Sequence, residues 1–382
     1  MAAAPDGAPS PLPIPPHFPV TWASPDDPKM FWTQERMHYP KPITPLSFAF
    51  AFDKGFNHGA EFYSMPVRAA GRRINSYVYW SVHPVVPPEK MAELGAQSEA
   101  KLTAAIGRLQ QLWDEEWLPK VQAHLAYWDT YDLKSASLAD LAALLDETEQ
   151  RVQAVWGIHF ELVFPVYLVM SLYEEMFTDL FGEDAKFDAY KLIQGYGNKS
   201  VELDHALWDL SRVALKTPAV AAAISAGDPS TIASQLGGVA GSADFLAALH
   251  TFLETYGRRV TQLEVGMASW IEDPTPAMRT LKGYLAQPDR DLGADLQAQA
   301  DERDRLYAER MALIKDYPEP VQAQFNGLLA AARIANPISE SHTFYIDYGV
   351  VHRVRQVVME IARRLAPAGA FDVADDVMYL TL

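Results

Sequence analysis

The 382-residue sequence contains no cysteine, which removes disulfides, thiolate metal sites and thiol nucleophiles together and leaves nothing that points to an oxidising compartment. It also lacks basic charge: 32 Lys and Arg stand against 49 Asp and Glu, a formal net charge of -17. Such a field repels polyanions at long range and argues against nucleic-acid binding, leaving room only for a local basic pocket. The amino terminus MAAAPDGAPSPLPIPP has neither a cationic start nor an apolar run, and no uncharged stretch reaches membrane-spanning length. Neither a signal peptide nor a membrane partner is therefore expected, and the expected location is the cytoplasm. The motifs GxxxxGK(S/T), strand-linked GxGxxG, HExxH and GxSxG are missing too, so P-loop nucleotide binding, the usual dinucleotide turn, zincin chemistry and the hydrolase elbow lack support. The ten histidines are scattered and not paired at ligand spacing, so no metal site is expected.

What is present is an ordinary globular balance, 49% hydrophobic and 21% charged residues, enough for one large domain or two modest ones. Twelve of the 27 prolines fall before residue 46, where fixed φ and missing donors forbid a continuous helix or central strand. Residues 1–16 are expected to be a loose tail and residues 1–30 a Pro-rich lead-in. Aromatic, extended text follows in FWTQERMHYPKPITPLSFAFAF and INSYVYWSV, predicting one or two short strands near 72–82. After VVPPEK the pattern turns helical. Leu102, Ile106, Leu109, Leu112, Trp113 and Trp117 make one apolar stripe up to Pro119, with a second helix beyond it. Ser137 as N-cap and Asp140 at the third position predict a long helix that runs towards Phe181 and kinks at Pro165. Further helices are expected near 200–215, 242–257, 274–286, 291–316, 318–335 and 347–366. GDPSTIASQLGGVAG reads as a short helix between loops. The fold class expected is mainly α, a multi-helix bundle with a small extended or β amino-terminal portion. Residues 31–382 form a single domain, with subdivision possible near 90 and 190.

Four segments could carry chemistry. In WGIHFELVFPVYLVM, residues 156–170, His159 and Glu161 are the only ionisable groups ahead of Tyr167 among large apolar side chains. Burying either without a partner costs several kcal/mol, so each is paired, neutral or facing a cavity. Trp156, Phe160 and Tyr167 would line such a cavity. GYGNKSVELDHALWDL offers Asn198, Lys199 and His205; a lysine at a helix start opposes the dipole, which suggests placement for something other than helix stability. FLETYGRRVTQLEVGMASWIEDP offers adjacent Arg258 and Arg259, able to grip a carboxylate or phosphate unless Glu264, Glu272 and Asp273 neutralise them, together with Trp270. RIANPISESHTFYIDYGVVHRVRQ gathers Arg333, Glu340, His342, Tyr345, Asp347 and His352 at what reads as a loop-to-helix junction, a reasonable place for general acid–base work. For each of these the alternative is structural: a hydrogen-bonded core histidine, a solvated lysine, an internally neutralised arginine.

The last three segments, in this order, resemble the middle region of phosphoenolpyruvate-synthase-like phosphotransferases, the group that includes rifampicin phosphotransferase and phenylphosphate synthase. FWTQERMHYPKPITPL near the start and RRLAPAGAFDVADDVMYLTL at the end extend the resemblance over about residues 31–382. In the fused enzymes an ATP-grasp domain precedes this helical acceptor-binding region, and a swivelling domain with a phosphorylated histidine follows it. No Gly-rich segment with a Thr-x-His element is present here. The resemblance therefore implies an acceptor-binding subunit that binds no cofactor itself and relies on a partner subunit for the ATP-grasp domain, ATP and Mg²⁺, and phosphohistidine. The acceptor it implies is a small aromatic hydroxyl compound, phenol or an alkylphenol, held in a pocket of Trp156, Phe160, Tyr167, Trp270 and Tyr345. His342, Glu340, His159 or His205 would take the hydroxyl proton, and Arg258, Arg259, Lys199 and Arg333 would meet the moving charge. The same missing motifs fit a stand-alone, cofactor-free lyase, hydratase or isomerase acting on an aromatic substrate, or a non-catalytic scaffold.

Overall fold

In the computed structural model, which describes residues 20–382, aromatic and β-branched text near the amino end forms a three-stranded antiparallel sheet. The loose tail expected over residues 1–16 lies outside the described residues. The strands are β1 (Thr33–Gln34), β2 (Val67–Ile74) and β3 (Tyr77–Pro84), with β3 central. The hairpin pairs Val67 with Pro84 and Ile74 with Tyr77. Its turn residues Asn75 and Ser76 both have positive φ, 48° and 70°, the sense of turn whose twist matches that of the flanking strands. Two short helices, α1 (Pro45–Ala49) and α2 (Asp53–Phe62), lie between β1 and β2.

The stripe expected to form one helix up to Pro119 is divided into α3 (Pro88–Ile106), α4 (Leu109–Leu112) and α5 (Leu118–Thr130), with a π-helical turn over Trp113–Trp117 joining the last two. That turn buries both tryptophans, which a regular α-helix would set about 40° apart at four-residue spacing. The long helix α6 (Leu138–Phe181) begins with a full capping box. The Ser137 hydroxyl accepts from the Asp140 N–H at 3.1 Å, and the Asp140 carboxylate accepts from the Ser137 N–H at 3.0 Å. Pro165 sits inside α6 and cannot donate to the carbonyl of Glu161. The Tyr63 hydroxyl donates to that carbonyl instead, at 2.6 Å. Among the described residues α6 alone is long and apolar enough to cross a membrane by length and composition, and 67% of its most apolar window is buried inside the fold.

The remaining helices are α7 (Lys186–Lys191), α8 (Lys199–Leu215), α9 (Pro218–Ala226), α10 (Ile232–Gln235), α11 (Ala243–Tyr256), α12 (Thr275–Leu285), α13 (Leu292–Leu313), α14 (Glu319–His342) and α15 (Gly349–Leu365). The fold is mainly α. The junction expected as a loop before residue 347 is helical instead: α14 passes through Pro337 and joins α15 by a second π-helical turn, Thr343–Tyr348. Three apolar clusters result. One packs the sheet region, α2, the first two-thirds of α6 and α15; the second is formed within residues 203–292; the third joins the end of α6 to α7, α13 and the start of α14.

Candidate functional site

A cavity of about 410 Å³, within the size range of small-ligand sites, opens where the segment between β1 and α1, α6, the irregular segment after α11 and the α14–α15 junction meet. Its first wall is Met37, His38 and Pro40. Glu35 is buried and accepts hydrogen bonds from the backbone N–H groups of Met37, His38 and Tyr39 at 3.1, 2.8 and 2.8 Å. Its carboxylate also holds His38 Nδ1 at 3.2 Å, so the loop is folded around one acid and His38 is fixed against the cavity. Burial pulls the His38 pKa down, but Glu35 and Asp347 outweigh it and raise it.

The floor comes from α6 and the π-helical turn. In an α-helix residues five apart are rotated by about 140°, whereas the wider π turn, bonded over five residues, brings them back towards one side. His342 and Asp347 are so related, and the turn sets His342 Nε2 3.9 Å from Asp347 Oδ2. His159 comes from α6 with Nδ1 3.3 Å from Asp347 Oδ1, and the two imidazole rings are 5.0 Å apart. All three residues are buried. Burial lowers the pKa of His159, and that of His342 to about 4, against the opposing pull of Asp347. Trp156 and Phe160 pack on His159 at 4.9 Å each, enclosing it from the far side.

The third wall is Thr261–Leu263, held in place by two acids. Glu264 accepts from the Thr44 N–H and hydroxyl, both at 2.8 Å, and from the Ser47 hydroxyl at 2.5 Å. Glu272 accepts from Ser269 and pairs with Arg355 of α15 at 3.2 Å. These acids thus anchor the segment and do not neutralise Arg258 and Arg259. Tyr167 and Tyr348 complete the lining.

The expected site residues divide. His342, Glu340 and Tyr167 line the cavity, and His159 stands directly behind His342 and Asp347. Glu340 is exposed and accepts from the Ser200 hydroxyl at 3.1 Å. Arg259 rests on Tyr348 and Trp270, 5.0 and 4.7 Å from their ring centres, one side chain back from the cavity. The other cations do not join it, because each has a local partner. Lys199 pairs with Glu202 and lies over Phe344 and Tyr345. Arg258 faces Asp129 at 3.9 Å in a second cavity shared with His352 and Arg353. Arg333 donates to the Leu192 carbonyl at 3.0 Å and lines a third cavity with Trp113 and Tyr196. His205 is half-buried on α8, and neither it, Trp270 nor Tyr345 is among the residues lining the 410 Å³ cavity. His38 and Glu35 belong to no expected site, and the acid-x-x-histidine order in FWTQERMHYP is their only local signal.

A buried imidazole pair around one carboxylate thus lies at the floor of an open cavity between helices, the kind of place where small-ligand sites are found. A profile of the rifampicin phosphotransferase fourth domain matches residues 159–340, and the chain resembles the helical middle region of phosphoenolpyruvate-synthase-like phosphotransferases. Chondramide synthase cmdD of Chondromyces crocatus is 35% identical over 384 residues, covering 99% of this chain and 10% of that protein. Uncharacterized phosphotransferase YvkC of Bacillus subtilis (strain 168) is 26% identical over 223 residues, 58% of this chain and 26% of that protein. The chain thus spans about a tenth and a quarter of the lengths of these two relatives.

Proposed function

We propose that this chain is the acceptor-binding part of an ATP-dependent phosphotransferase of the phosphoenolpyruvate-synthase type, acting in the cytoplasm on the hydroxyl of a small phenolic compound. The observation that carries the reading is the cavity floored by His342 and Asp347 with Tyr167, Leu263 and Tyr348 around it. An aromatic ring fits among the apolar faces, with its hydroxyl directed at the buried imidazole–carboxylate cluster. The relatives' partial coverage supports a region that works inside larger proteins. On this reading an ATP-grasp domain and a swivelling phosphohistidine, in a partner subunit together with ATP and Mg²⁺, approach the open side of the cavity. The cluster draws the proton from the acceptor oxygen, that oxygen attacks phosphorus, and the phosphohistidine nitrogen leaves. Arg259, poised behind Tyr348, supplies positive charge.

The test is transfer of phosphate to phenol or p-cresol by the purified chain, first with ATP and Mg²⁺ alone and then with added ATP-grasp and phosphohistidine domains, followed by mass spectrometry of the aryl phosphate. Product is expected only in the second mixture. Product from ATP alone would overturn the division of labour, and no phenol binding by the folded chain would overturn the acceptor.

A further inference from the structure

His159, His342 and Asp347 present more than a base. Each offers a ligand atom, and the three atoms lie within 4.8 Å of one another. His159 Nδ1 and Asp347 Oδ1 are buried and face each other at 3.3 Å without a well-formed hydrogen bond between them, an arrangement that is costly unless something else satisfies them. Among the described residues no Lys or Arg pairs with Asp347; the imidazoles of His159 and His342 lie beside it, and His38 acts on it from farther off. A buried carboxylate without a Lys or Arg partner gains from a cation beside it.

We propose that these three side chains bind one divalent transition-metal ion, such as Zn²⁺, with its remaining coordination position open to the cavity. Ligand atoms about 2.1 Å from a tetrahedral zinc stand roughly 3.4 Å apart. The 3.3 Å between His159 Nδ1 and Asp347 Oδ1 already meets that spacing, whereas His342 Nε2, 3.9 Å from the other carboxylate oxygen Oδ2, in a set spread within 4.8 Å, must draw in by a side-chain adjustment. Two nitrogens and one carboxylate suit Zn²⁺, Mn²⁺ or Fe²⁺, whereas Mg²⁺ prefers oxygen and water. Three protein ligands and one open position are the pattern of catalytic sites, not of closed structural ones. His38, ring centre 5.8 Å from that of His159, is kept out of the ligand set by its Nδ1 contact with Glu35. The use of the ion, though not its binding, rests on the function proposed above: an acceptor hydroxyl at the open position would become more acidic, and ion and attacking oxygen would share one site.

The experiment is titration of the chelator-treated chain with Zn²⁺ and with Mg²⁺ by calorimetry, without acceptor or phosphoryl donor, together with the visible spectrum after Co²⁺ loading. One Zn²⁺ per chain is expected at about micromolar affinity or tighter, with Mg²⁺ far weaker. Asp347→Asn and His159→Gln should each weaken Zn²⁺ by about tenfold or more, and His205→Gln should not. Absence of stoichiometric Zn²⁺ binding by the folded chain, or equal binding by both ligand variants, would overturn the site and mark any bound ion as adventitious. If the variants fail to fold, the Co²⁺ spectrum of the unaltered chain decides: an intense low-symmetry band supports the site, and that of hydrated Co²⁺ overturns it. Zn²⁺ binding without phosphoryl transfer would leave this site standing and overturn the function, and transfer by a chain that binds no ion would do the reverse.

Discussion

Tyr63 contributes one hydrogen bond that a helix with an internal proline cannot make for itself. Its hydroxyl is buried against the Glu161 carbonyl, the acceptor that Pro165 leaves without its helical donor. Tyr63→Phe keeps the ring and removes the donor, so a buried carbonyl is orphaned; a loss of about 1–3 kcal/mol is expected in urea unfolding. An unchanged midpoint would mean that another group, or water, reaches that oxygen. The burial of His159 and Glu161 was legible in the sequence, since two ionisable groups inside an apolar run have nowhere dry to go without partners. The partners were not. Glu161 meets His58 at 2.7 Å and Trp117 at 3.2 Å, and His159 meets Asp347 from 188 positions away; neither pairing follows from a local rule.

At the scale of elements, the seat of α6 depends on two glycines of α2. A Cβ at Gly55 would stand 2.4 Å from the Trp156 Cβ, and one at Gly59 would stand 2.5 Å from the Phe160 Cβ. The helices therefore approach as closely as backbone allows. Alanine ordinarily stabilises a helix interior by about 1 kcal/mol over glycine, but here the clash is with Cβ and main-chain atoms that have no rotamer to give way. Gly55→Ala and Gly59→Ala are each expected to lower stability by about 2 kcal/mol or more, read by thermal or urea unfolding; a gain would show that the helices can slide apart freely. Helix existence was legible along most of the chain because amphipathic stripes and the Ser137 cap are local. The two π-helical turns were not, because apolar periodicity does not distinguish a five-residue turn from a four-residue one over six positions. That ambiguity concealed the pairing of His342 with Asp347, whose spacing looks wrong for an α-helix.

The whole molecule is fastened across its sequence by buried charges on α15. Arg353 grips Asp129 through two hydrogen bonds of 3.0 and 2.5 Å, Arg355 grips Glu272, and His352 Nδ1 meets the Ser269 hydroxyl at 2.8 Å. Charge totals, read from the sequence, gave no hint of which ions would be enclosed. Around His352 stand Glu272, which favours its protonation, Arg353 and Arg258, which oppose it, and Asp129, which favours it. Burial dominates, and its pKa falls from 6.5 to about 4. Above about pH 6.5 the ring is neutral folded or unfolded and contributes no pH dependence. Below that the unfolded chain takes up a proton that the native chain refuses, so stability drops as pH falls towards 4 and this contribution levels off beneath it. The loss from this one residue amounts to roughly 2 kcal/mol by about pH 5. His352→Gln keeps a polar group near Ser269 and removes the titration. The stability difference between the unaltered chain and His352→Gln, measured in urea at about pH 7.5 and about pH 5, should therefore shift against the unaltered chain by about that amount at the lower pH. Carboxylates common to both proteins cancel in this difference. Parallel stability curves across the window would show that His352 is protonated in the folded state, with Glu272 and Asp129 outweighing burial and the two arginines.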